Sequence, residues 1–348
     1  MSIKKKVVVA MSGGVDSSVA AALLKEQGYD VIGITMQIWQ NGGKSSGCCS
    51  LSAVEDARRV ANKLGIPYYV VNFKKIFKKT VIDDFINGYN QGHTPNPCVR
   101  CNQFVKFDAL MKKAKELGAD YFATGHYARI EKDKKGGYIL KKGTDPKKDQ
   151  SYFLYTLNQA ALARTLFPVG DLTKVEVRKL AKKHGLNVAD KKESQEICFV
   201  EGHFGDLFNL KKGDILDIEG NVVGKHKGYQ LYTVGQRRGL GLSRPRPAYV
   251  VKISPKNNQI TVGDKGDVYG DDLTAGQMSY IYVRRPTLPM RAKVKIRYNS
   301  PEAEAEILPI SQGKVRVTFK ELQFAITPGQ SAVIYDRDNV IGGGIIGA

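Results

Sequence analysis

The sequence is short of acidic residues and of long apolar runs. Its 348 residues include 34 aspartates and glutamates against 54 lysines and arginines, which gives a formal net charge of +20. No apolar stretch approaches the ~20 residues that cross a bilayer, so we predict no membrane partner. The lysines at positions 4–6 precede a short valine run that ends at Ser12-Gly13-Gly14 without a signal-peptide cleavage pattern. We therefore predict a cytoplasmic protein.

The cationic excess has two explanations. A small-molecule enzyme does not need it, whereas a polyanion partner does, because cations that displace condensed counterions supply affinity without sequence preference. Nucleic acid is therefore one predicted partner class. A lysine-rich surface with no specific partner is the alternative.

Cysteine is also scarce. The chain has five, and an odd number in a cytoplasmic protein argues against a disulfide scaffold and for redox, metal or nucleophile chemistry. They are Cys48, Cys49, Cys98, Cys101 and Cys198. Cys48 and Cys49 lie in a Gly/Ser-rich loop, where we predict an incidental or structural role.

The order of patterns predicts more than one domain. Strand and helix alternate over the first ~200 residues, which predicts an α/β fold with a parallel sheet and ligands at the carboxyl ends of its strands. After Cys198, short β-type runs separated by turns replace this rhythm. We predict an α/β domain over 1–202, a small β-rich domain over 203–272 and a C-terminal β-barrel over 273–348.

One glycine-serine motif carries the strongest local signal. Ser12-Gly13-Gly14-Val15-Asp16-Ser17 stands between a buried strand and a helix. The glycines let the backbone approach an anion, and the N–H groups of the first helical turn favour negative charge. Neither Gly-Lys-Ser/Thr nor Gly-x-Gly-x-x-Gly occurs there. The motif predicts a pyrophosphate cradle, with a tight strand–helix turn capped by serines as the alternative.

Two separate segments carry the remaining cysteines. Pro95 and Pro97 restrict the backbone ahead of Cys98 and Cys101. We expect a helix from about Phe104, so that Cys101 stands just before its N-terminus, where the helix and nearby basic side chains would lower the pKa of the thiol. Cys198 follows a helix of the same predicted domain and is expected on the same face.

Six motifs occur in a fixed order along the chain. They are Ser-Gly-Gly-Val-Asp-Ser at 12–17, Thr-Pro-Asn-Pro-Cys-Val-Arg-Cys-Asn at 94–102, Ala-Thr-Gly-His-Tyr-Ala at 123–128, Lys-Asp-Gln-Ser-Tyr-Phe-Leu at 148–154, Ser-Gln-Glu-Ile-Cys-Phe at 194–199 and Tyr-Thr-Val-Gly-Gln-Arg-Arg-Gly at 232–239. The first resembles the PP-loop of the ATP pyrophosphatases. The ordered set resembles the bacterial tRNA-specific 2-thiouridylases over essentially the whole chain.

The resemblance implies an ATP site, with Mg²⁺ accompanying the nucleotide. Met36, at the end of the second strand, would bind adenine through its backbone, although a core methionine is the alternative reading. Gly125, at the end of the fourth strand, would let the nucleotide pass closely. The remaining implied ATP contacts are Ala10, Met11, Ser12, Gly13, Gly14, Val15, Asp16 and Ser17.

The resemblance also implies the chemistry. ATP would adenylate O2 of the wobble uridine, and Cys198 would carry a persulfide received from a sulfur donor such as a cysteine desulfurase or a sulfur-relay protein. The terminal sulfur would attack C2 and AMP would leave. Cys101 would then free the sulfur, leaving a Cys101–Cys198 disulfide.

Cys98 departs from a common family pattern, because many members carry aspartate there. Cys98, Cys101 and Cys198 could instead hold a 4Fe-4S cluster with one iron open for exogenous sulfide. This cluster would replace the persulfide route, and the two alternatives stay open on sequence. Zinc on the same thiols is disfavoured because no fourth ligand is evident.

The resemblance further implies contacts with the anticodon stem-loop of tRNA. The implied residues are Asn96, Pro97, Cys98, His126, Lys148, Asp149, Gln150, Arg297, Tyr298 and Gln330. A structural histidine is the alternative for His126, and a solvated charge run is the alternative for the lysine-rich loop around Lys148. Arg237 and Arg238 lie between glycines and are a natural grip for phosphates.

Two other functions fit part of the pattern. A PP-loop adenylating synthetase that acts on a small molecule would not need two distant cysteines. A non-enzymatic tRNA-binding protein would bind tRNA without consuming ATP. Release of AMP and pyrophosphate that depends on tRNA separates these readings.

Overall fold

The computed structural model describes residues 4–38, 51–134, 136–191, 197–200, 203–243, 246–281, 289–311 and 313–347. The predictions for Cys48 and Cys49 lie outside this part of the chain. No helix among the described residues combines the length and the apolar character that crossing a membrane requires.

The structure contains seventeen described strands. They are β1 (Lys6–Ala10), β2 (Asp30–Gln37), β3 (Tyr68–Asn72), β4 (Tyr121–Ala123), β5 (Ala128–Lys132), β6 (Tyr138–Lys142), β7 (Thr165–Leu166), β8 (Gly213–Leu216), β9 (Val222–His226), β10 (Tyr249–Ser254), β11 (Gln259–Gly263), β12 (Tyr269–Tyr280), β13 (Met290–Lys295), β14 (Ala303–Ser311), β15 (Lys314–Phe324), β16 (Ser331–Asp336) and β17 (Asn339–Ile346).

Helices fall mainly in the first half of the chain. They are α1 (Val15–Glu26), α2 (Leu51–Leu64), α3 (Lys74–Phe77), α4 (Asp83–Asn90), α5 (Pro97–Arg100), α6 (Met111–Glu116), α7 (Gln159–Leu162) and α8 (Lys174–Lys183). Two π-helical stretches, Lys78–Ile82 and Cys101–Leu110, connect α3 to α4 and α5 to α6. Short 3₁₀ turns occupy Ser151–Phe153, Phe204–Leu207, Tyr229–Leu231, Pro255–Asn257 and Gly266–Val268.

A five-stranded parallel sheet in the order β3-β2-β1-β4-β7 confirms the predicted α/β fold. Val7, Val8 and Val9 of the central strand β1 are fully buried, as expected for a parallel strand covered on both faces. The chain order reverses between β1 and β4, so their carboxyl ends form a switch point of the kind that binds ligands in such sheets. The Ser-Gly-Gly motif follows β1 at this edge.

One helix begins earlier than the sequence predicted. Helical backbone runs without a break from Pro97 through Glu116, not from about Phe104. Asn96 caps this helix through its side chain, and Pro97 occupies the first helical position, where its missing N–H costs nothing. Cys101 therefore lies inside the helix, at the start of the π-helical stretch, and the prediction that it precedes the helix was wrong.

Two antiparallel-rich sheets follow the α/β part. A four-stranded sheet has the order β10-β11-β8-β9. Strands β12 to β17 form a barrel, in which β12 pairs with both β15 and β17 and so closes the ring. This confirms the predicted β-rich region and C-terminal barrel. The exact domain limits stay predictions.

The β5–β6 hairpin links the α/β part to the barrel. It lies within the first predicted domain, yet β6 pairs with β17 at Lys141 and Asn339. One apolar cluster also crosses this border, since it includes Tyr155 of the α/β part together with Val333 and Val340 of the barrel. The two parts therefore share a core.

Candidate active site

The loop after β1 has the shape of an anion cradle. Gly13 adopts a φ of +69°, and a Cβ there would overlap the backbone carbonyl of Ala53 at the start of α2. Glycine is therefore required by conformation and by space. Gly14 is the N-cap of α1, and no described side chain caps the helix there. The N-terminal N–H groups and dipole of this 12-residue helix suit an anion.

The loop serines divide into two roles. Ser17 is buried, accepts a hydrogen bond from the Ser12 amide at 3.2 Å and donates to the Gly14 carbonyl oxygen at 3.2 Å. Ser18 donates to the same Gly14 oxygen at 2.8 Å. These two hydroxyls shape the loop, while Ser12 is exposed at its surface.

Asp16 is held by two residues from later in the chain. The Tyr127 hydroxyl donates to Asp16 Oδ1 at 2.7 Å. The Lys174 ammonium lies 2.7 and 2.9 Å from the two carboxylate oxygens. The Lys174 side chain is only 11% exposed. The Asp16 carboxylate is thus compensated, so it contributes no uncompensated negative charge beside an incoming anion.

The other predicted ATP residues border the same loop. A Cβ on Gly125 would lie 2.5 Å from the Ser17 amide nitrogen, so the end of β4 presses closely on the start of α1. Met36 lies in β2 opposite Val71 of β3 and is half-buried against the main apolar cluster. These positions are compatible with both readings of Met36.

The N-terminal turn of the helix that contains Cys101 is held by Asn96 and Arg100. Asn96 Oδ1 accepts hydrogen bonds from the Cys98 amide at 3.1 Å and the Val99 amide at 3.4 Å. Arg100 pairs with Asp84 at 3.3 Å and donates to the Gln277 side chain of β12 at 3.1 Å. The guanidinium expected to influence the thiol is therefore committed to a carboxylate.

Cys101 and Cys198 border one core. Both are half-buried and pack on the main apolar cluster. Phe199, which follows Cys198, is 2% exposed and contacts Phe77 and Phe85 with ring centroids 5.7 and 5.3 Å apart. The fold thus brings two segments distant in sequence to the same apolar cluster. That the two thiols lie on one face stays a prediction.

Cys98 occupies a different environment, because it is exposed in the first turn of the helix. Within the described part of the chain, which includes Cys98, Cys101 and Cys198, no three His, Cys, Asp or Glu side chains lie close enough together to hold a metal ion. The arrangement of these three thiols does not fit a cluster or a zinc ion.

The segment before the helix is held by the two C-terminal sheets. The Thr94 amide donates to the Pro328 carbonyl oxygen at 2.8 Å, and Gln330 Nε2 donates to the Thr94 carbonyl oxygen at 2.6 Å. The Thr94 hydroxyl lies 3.1 Å from that of Thr233. Predicted RNA residue Gln330 therefore contacts the cysteine segment directly.

Arg297 and Tyr298 extend this junction. Arg297 donates to the Val234 carbonyl oxygen at 2.7 Å and to the Thr327 hydroxyl. Its Nε is buried without a hydrogen-bond partner among the described residues, and burial lowers the pKa of the guanidinium. The Tyr298 ring packs on Phe153 with centroids 4.4 Å apart. Both predicted RNA residues thus also join the barrel to its neighbours.

His126 is buried and directly follows Gly125, which packs closely on Ser17 of the loop at residues 12–17, called the nucleotide loop below. Its Nδ1 lies 2.7 Å from the Thr124 hydroxyl, and its ring packs with those of Phe107 and Phe167 in a cluster of three, each centroid 6.0 Å from that of His126. Burial, followed by the Lys106 charge, holds the pKa of His126 well below its usual value. The imidazole is therefore neutral at physiological pH.

The predicted RNA motif at Lys148-Asp149-Gln150 makes internal contacts. Asp149 is buried and accepts hydrogen bonds from the Gly143 amide and from the amide and hydroxyl of Ser151. Gln150 exchanges two hydrogen bonds with the backbone of Tyr127, at 2.9 and 3.1 Å. Gln150 thus supports the tyrosine that contacts Asp16, and Asp149 fixes the backbone at Gly143 and Ser151, while Lys148 is half-buried.

Four site residues escaped the sequence analysis, and the first is Tyr127, which donates to Asp16 and stands within a recognised motif. The other three come from separate segments. Lys174 contacts Asp16, Lys191 contacts the Gly13 carbonyl oxygen at 3.0 Å, and Asn102 is 2% exposed and donates to the Phe153 carbonyl oxygen at 3.1 Å. Asn102 stands within a recognised motif, which was a usable signal. The two lysines belong to a lysine-rich sequence in which no local pattern separates them from surface residues.

Family comparisons cover nearly the whole chain. Residues 5–202 match the family described as tRNA methyl transferase HUP domain, residues 182–264 match the tRNA methyl transferase PRC-barrel domain and residues 270–346 match the aminomethyltransferase beta-barrel domain.

Curated relatives match from end to end. A tRNA-specific 2-thiouridylase MnmA of Acetivibrio thermocellus is 54% identical, with 99% of each chain covered. One of Clostridioides difficile is 51% identical with the same coverage, and one of Symbiobacterium thermophilum is 52% identical over 99% of this chain and 92% of its own. The ordered motifs, the parallel sheet with its glycine-serine loop and these matches agree, and the chain belongs to the family of the tRNA-specific 2-thiouridylases.

Proposed function

We propose that this protein uses ATP to replace O2 of the wobble uridine of tRNA by sulfur. The observation that carries the proposal is that a phosphate-type loop and two half-buried cysteines occur in the same α/β part. A phosphate-type loop stands at the switch point of the sheet, and Cys101 and Cys198 border the core of the same α/β part. Family membership and the net charge of +20 support a tRNA substrate.

The first proposed step is activation of the base. Uridine O2 attacks the α-phosphorus of ATP, the bond from this phosphorus to the bridging oxygen of the β-phosphate breaks, and pyrophosphate leaves. AMP is then joined to O2, which makes that oxygen a good leaving group. The N-terminus of α1 and the compensated Asp16 favour the phosphates, and Mg²⁺ enters with ATP as part of the substrate.

The second proposed step is sulfur transfer. A sulfur donor of the cysteine-desulfurase or sulfur-relay class loads Cys198 with a persulfide, whose terminal sulfur bonds to C2 while the C2–O2 bond breaks and AMP leaves. Cys101 then attacks the inner sulfur of Cys198. The S–S bond of the persulfide breaks, the terminal sulfur stays on C2 and a Cys101–Cys198 disulfide forms. A thiol reductant restores both cysteines with two electrons.

The experiment combines ATP, unmodified tRNA, a cysteine desulfurase and free cysteine with the purified protein. We expect pyrophosphate and AMP that depend on tRNA, and 2-thiouridine in the digested tRNA by mass spectrometry. Cys198→Ser should form pyrophosphate once per tRNA and no thionucleoside. Release of ADP contradicts the activation step, and tRNA-dependent pyrophosphate release by the wild type without any thionucleoside contradicts sulfur transfer.

The cysteine variants also separate the competing functions. Activity that survives both Cys101→Ser and Cys198→Ser indicates a synthetase that acts on a small molecule. Tight tRNA binding without pyrophosphate release indicates a non-enzymatic RNA-binding protein.

A 4Fe-4S route makes a different prediction at Cys98. A cluster needs three thiols, whereas the persulfide route needs two, so we expect Cys98→Ser to retain the kcat of thiolation at saturating tRNA and to change only the KM for tRNA. Anaerobic purification with iron and sulfide analysis on the same sample provides the control. Iron in stoichiometric amount, together with loss of activity in Cys98→Ser, contradicts the persulfide route.

The tRNA contacts are proposed on the same basis. The residues are Asn96, Pro97, Cys98, His126, Lys148, Asp149, Gln150, Arg297, Tyr298 and Gln330. The internal hydrogen bonds of Asp149 and Gln150 support a role for these two in shaping the surface on which the RNA would lie.

A further inference from the structure

The nucleotide loop has no lysine of its own. A mononucleotide P-loop carries a lysine directly after its glycines, but Val15 and Asp16 occupy the corresponding place here. The fold instead brings two lysines to the loop from far along the chain. Lys174 contacts the Asp16 side chain, and Lys191 contacts the backbone of Gly13.

Lys191 forms a bridge between the loop and α2. Its ammonium lies 3.0 Å from the Gly13 carbonyl oxygen and 2.7 Å from Asp56 Oδ2. The second oxygen of Asp56 accepts a hydrogen bond from Asn187 at 3.2 Å, which fixes the carboxylate in turn. The Lys191 side chain is 36% exposed, so the bridge lies at the edge of the loop.

This bridge determines the direction of one N–H group. A peptide unit is planar and trans, so the carbonyl oxygen of Gly13 and the N–H of Gly14 point to opposite sides. A lysine that holds the oxygen therefore turns the N–H of Gly14 away from α2. Ala53 of α2 packs against Gly13 and limits rotation of this peptide. Helix α2 thus supplies both the steric wall and the carboxylate.

We propose that Lys191 is a positioning residue for ATP, because it orients the Gly13–Gly14 peptide so that the Gly14 N–H faces the polyphosphate. The inference rests on the proposed function, since it assumes that the loop binds ATP. Lys174 differs, because its ammonium contacts both carboxylate oxygens of Asp16 and so acts on a side chain of the loop.

The test compares Lys191→Met with Lys191→Arg and Lys182→Met. The Lys182 ammonium pairs with the exposed Asp190 at 3.0 Å and serves as the matched control for loss of one lysine. Because a hydrogen bond to a charged group is worth about tenfold or more in affinity, we expect Lys191→Met to raise the KM for ATP about tenfold in tRNA-dependent pyrophosphate release. The kcat at saturating ATP should change less than about threefold, and Lys191→Arg should restore most of the KM.

A binding measurement separates this inference from the reaction. Dissociation constants for a non-hydrolysable ATP analogue should follow the same order, with Asp56→Asn intermediate and Lys182→Met equal to the wild type. A wild-type dissociation constant in Lys191→Met overturns the positioning role while leaving thiolation in place. A loss of kcat with unchanged KM overturns it too. Wild-type protein that releases no pyrophosphate with tRNA contradicts the proposed function itself.

Discussion

The nucleotide loop and the cysteine segment both depend on residues distant in sequence, but those residues come from different parts of the fold. The loop is held by Tyr127, Lys174 and Lys191, which all belong to the α/β part. The segment at Thr94 is held by the middle region through Thr233 and by the barrel through Gln330. The loop is therefore held from within the α/β part, whereas the cysteine segment is held by contacts with the other two parts.

The largest expected effect comes from a substitution in the nucleotide loop. Gly13→Ala adds a Cβ that would overlap the Ala53 carbonyl at a positive φ, so we expect kcat/KM for ATP to fall at least about 100-fold, as for a misplaced catalytic geometry. Gly28→Ala is the control, because Gly28 also has a positive φ but open space around its Cβ position. Pyrophosphate release measures both. Equal effects of the two substitutions would mean that backbone strain, not overlap, is responsible.

A second prediction concerns His126, which lies beside the loop. The folded-state pKa of His126 is below the usual value of 6.5. As the pH falls through about 6.5, this imidazole is therefore protonated in the unfolded chain but stays neutral in the folded chain. The free energy of unfolding should then fall by up to ~1.4 kcal/mol per pH unit until the folded pKa is reached. Urea titrations at pH 7.5, 6.5 and 5.5 measure the slope.

His126→Asn should flatten this slope. Part of it remains in the variant, because burial also lowers the pKa of His226. An unchanged slope in the variant would show that His126 is accessible and protonated in the folded protein.

A third prediction concerns the contact that holds the cysteine segment to the middle region. Thr94→Val or Thr233→Val removes one hydrogen bond from the junction, which is worth ~1 kcal/mol. We expect thiolation to slow about fivefold with no change in the KM for ATP. Since the two hydroxyls contact each other and both also hydrogen-bond Tyr89, the effects of the two substitutions should be less than additive in the double variant. A raised KM for ATP in these variants would contradict the separation of the two regions.

The smallest expected effect concerns the middle region. An open groove of about 340 Å³ is lined by Arg237 and Arg246 together with two glycines, two leucines, Pro247 and Ala248. If Arg237 contacts one phosphate, Arg237→Ala should weaken tRNA binding about threefold and reduce the salt slope by roughly 0.7–1. Lys113→Ala, which removes a cation paired with Glu116, is the control. Binding titrations at several salt concentrations distinguish the two.

The sequence predicted the loop better than its surroundings. Gly13, Gly14 and Gly125 stand at the predicted strand ends because strand–turn–helix patterns are local. The start of the helix that contains Cys101 was predicted too far along the chain, because the two prolines suggested an extended segment. In the structure Asn96 caps this helix and Pro97 is its first residue. The contacts of Lys191 could not be predicted, because they depend on packing between elements far apart in sequence.

The sequence also could not show how the barrel is attached. Strand β6 pairs with β17 with Lys141 opposite Asn339, and neither strand has a sequence pattern that predicts its partner. The motif at Lys148-Asp149-Gln150 illustrates the same limit. A run of polar residues reads as surface, but burial of Asp149 under the Gly143 and Ser151 amides depends on the tertiary fold.

The β5–β6 hairpin has a practical consequence for dividing this protein. A fragment that ends before the barrel would leave β6 with an unsatisfied ladder edge and would uncover Leu140 and Tyr155, which are buried in the whole chain. Exposed strand edges and apolar patches promote aggregation. The ATP-binding half therefore cannot be excised as a soluble module by cutting at the border of the motifs, and biochemical work on nucleotide binding requires the intact polypeptide.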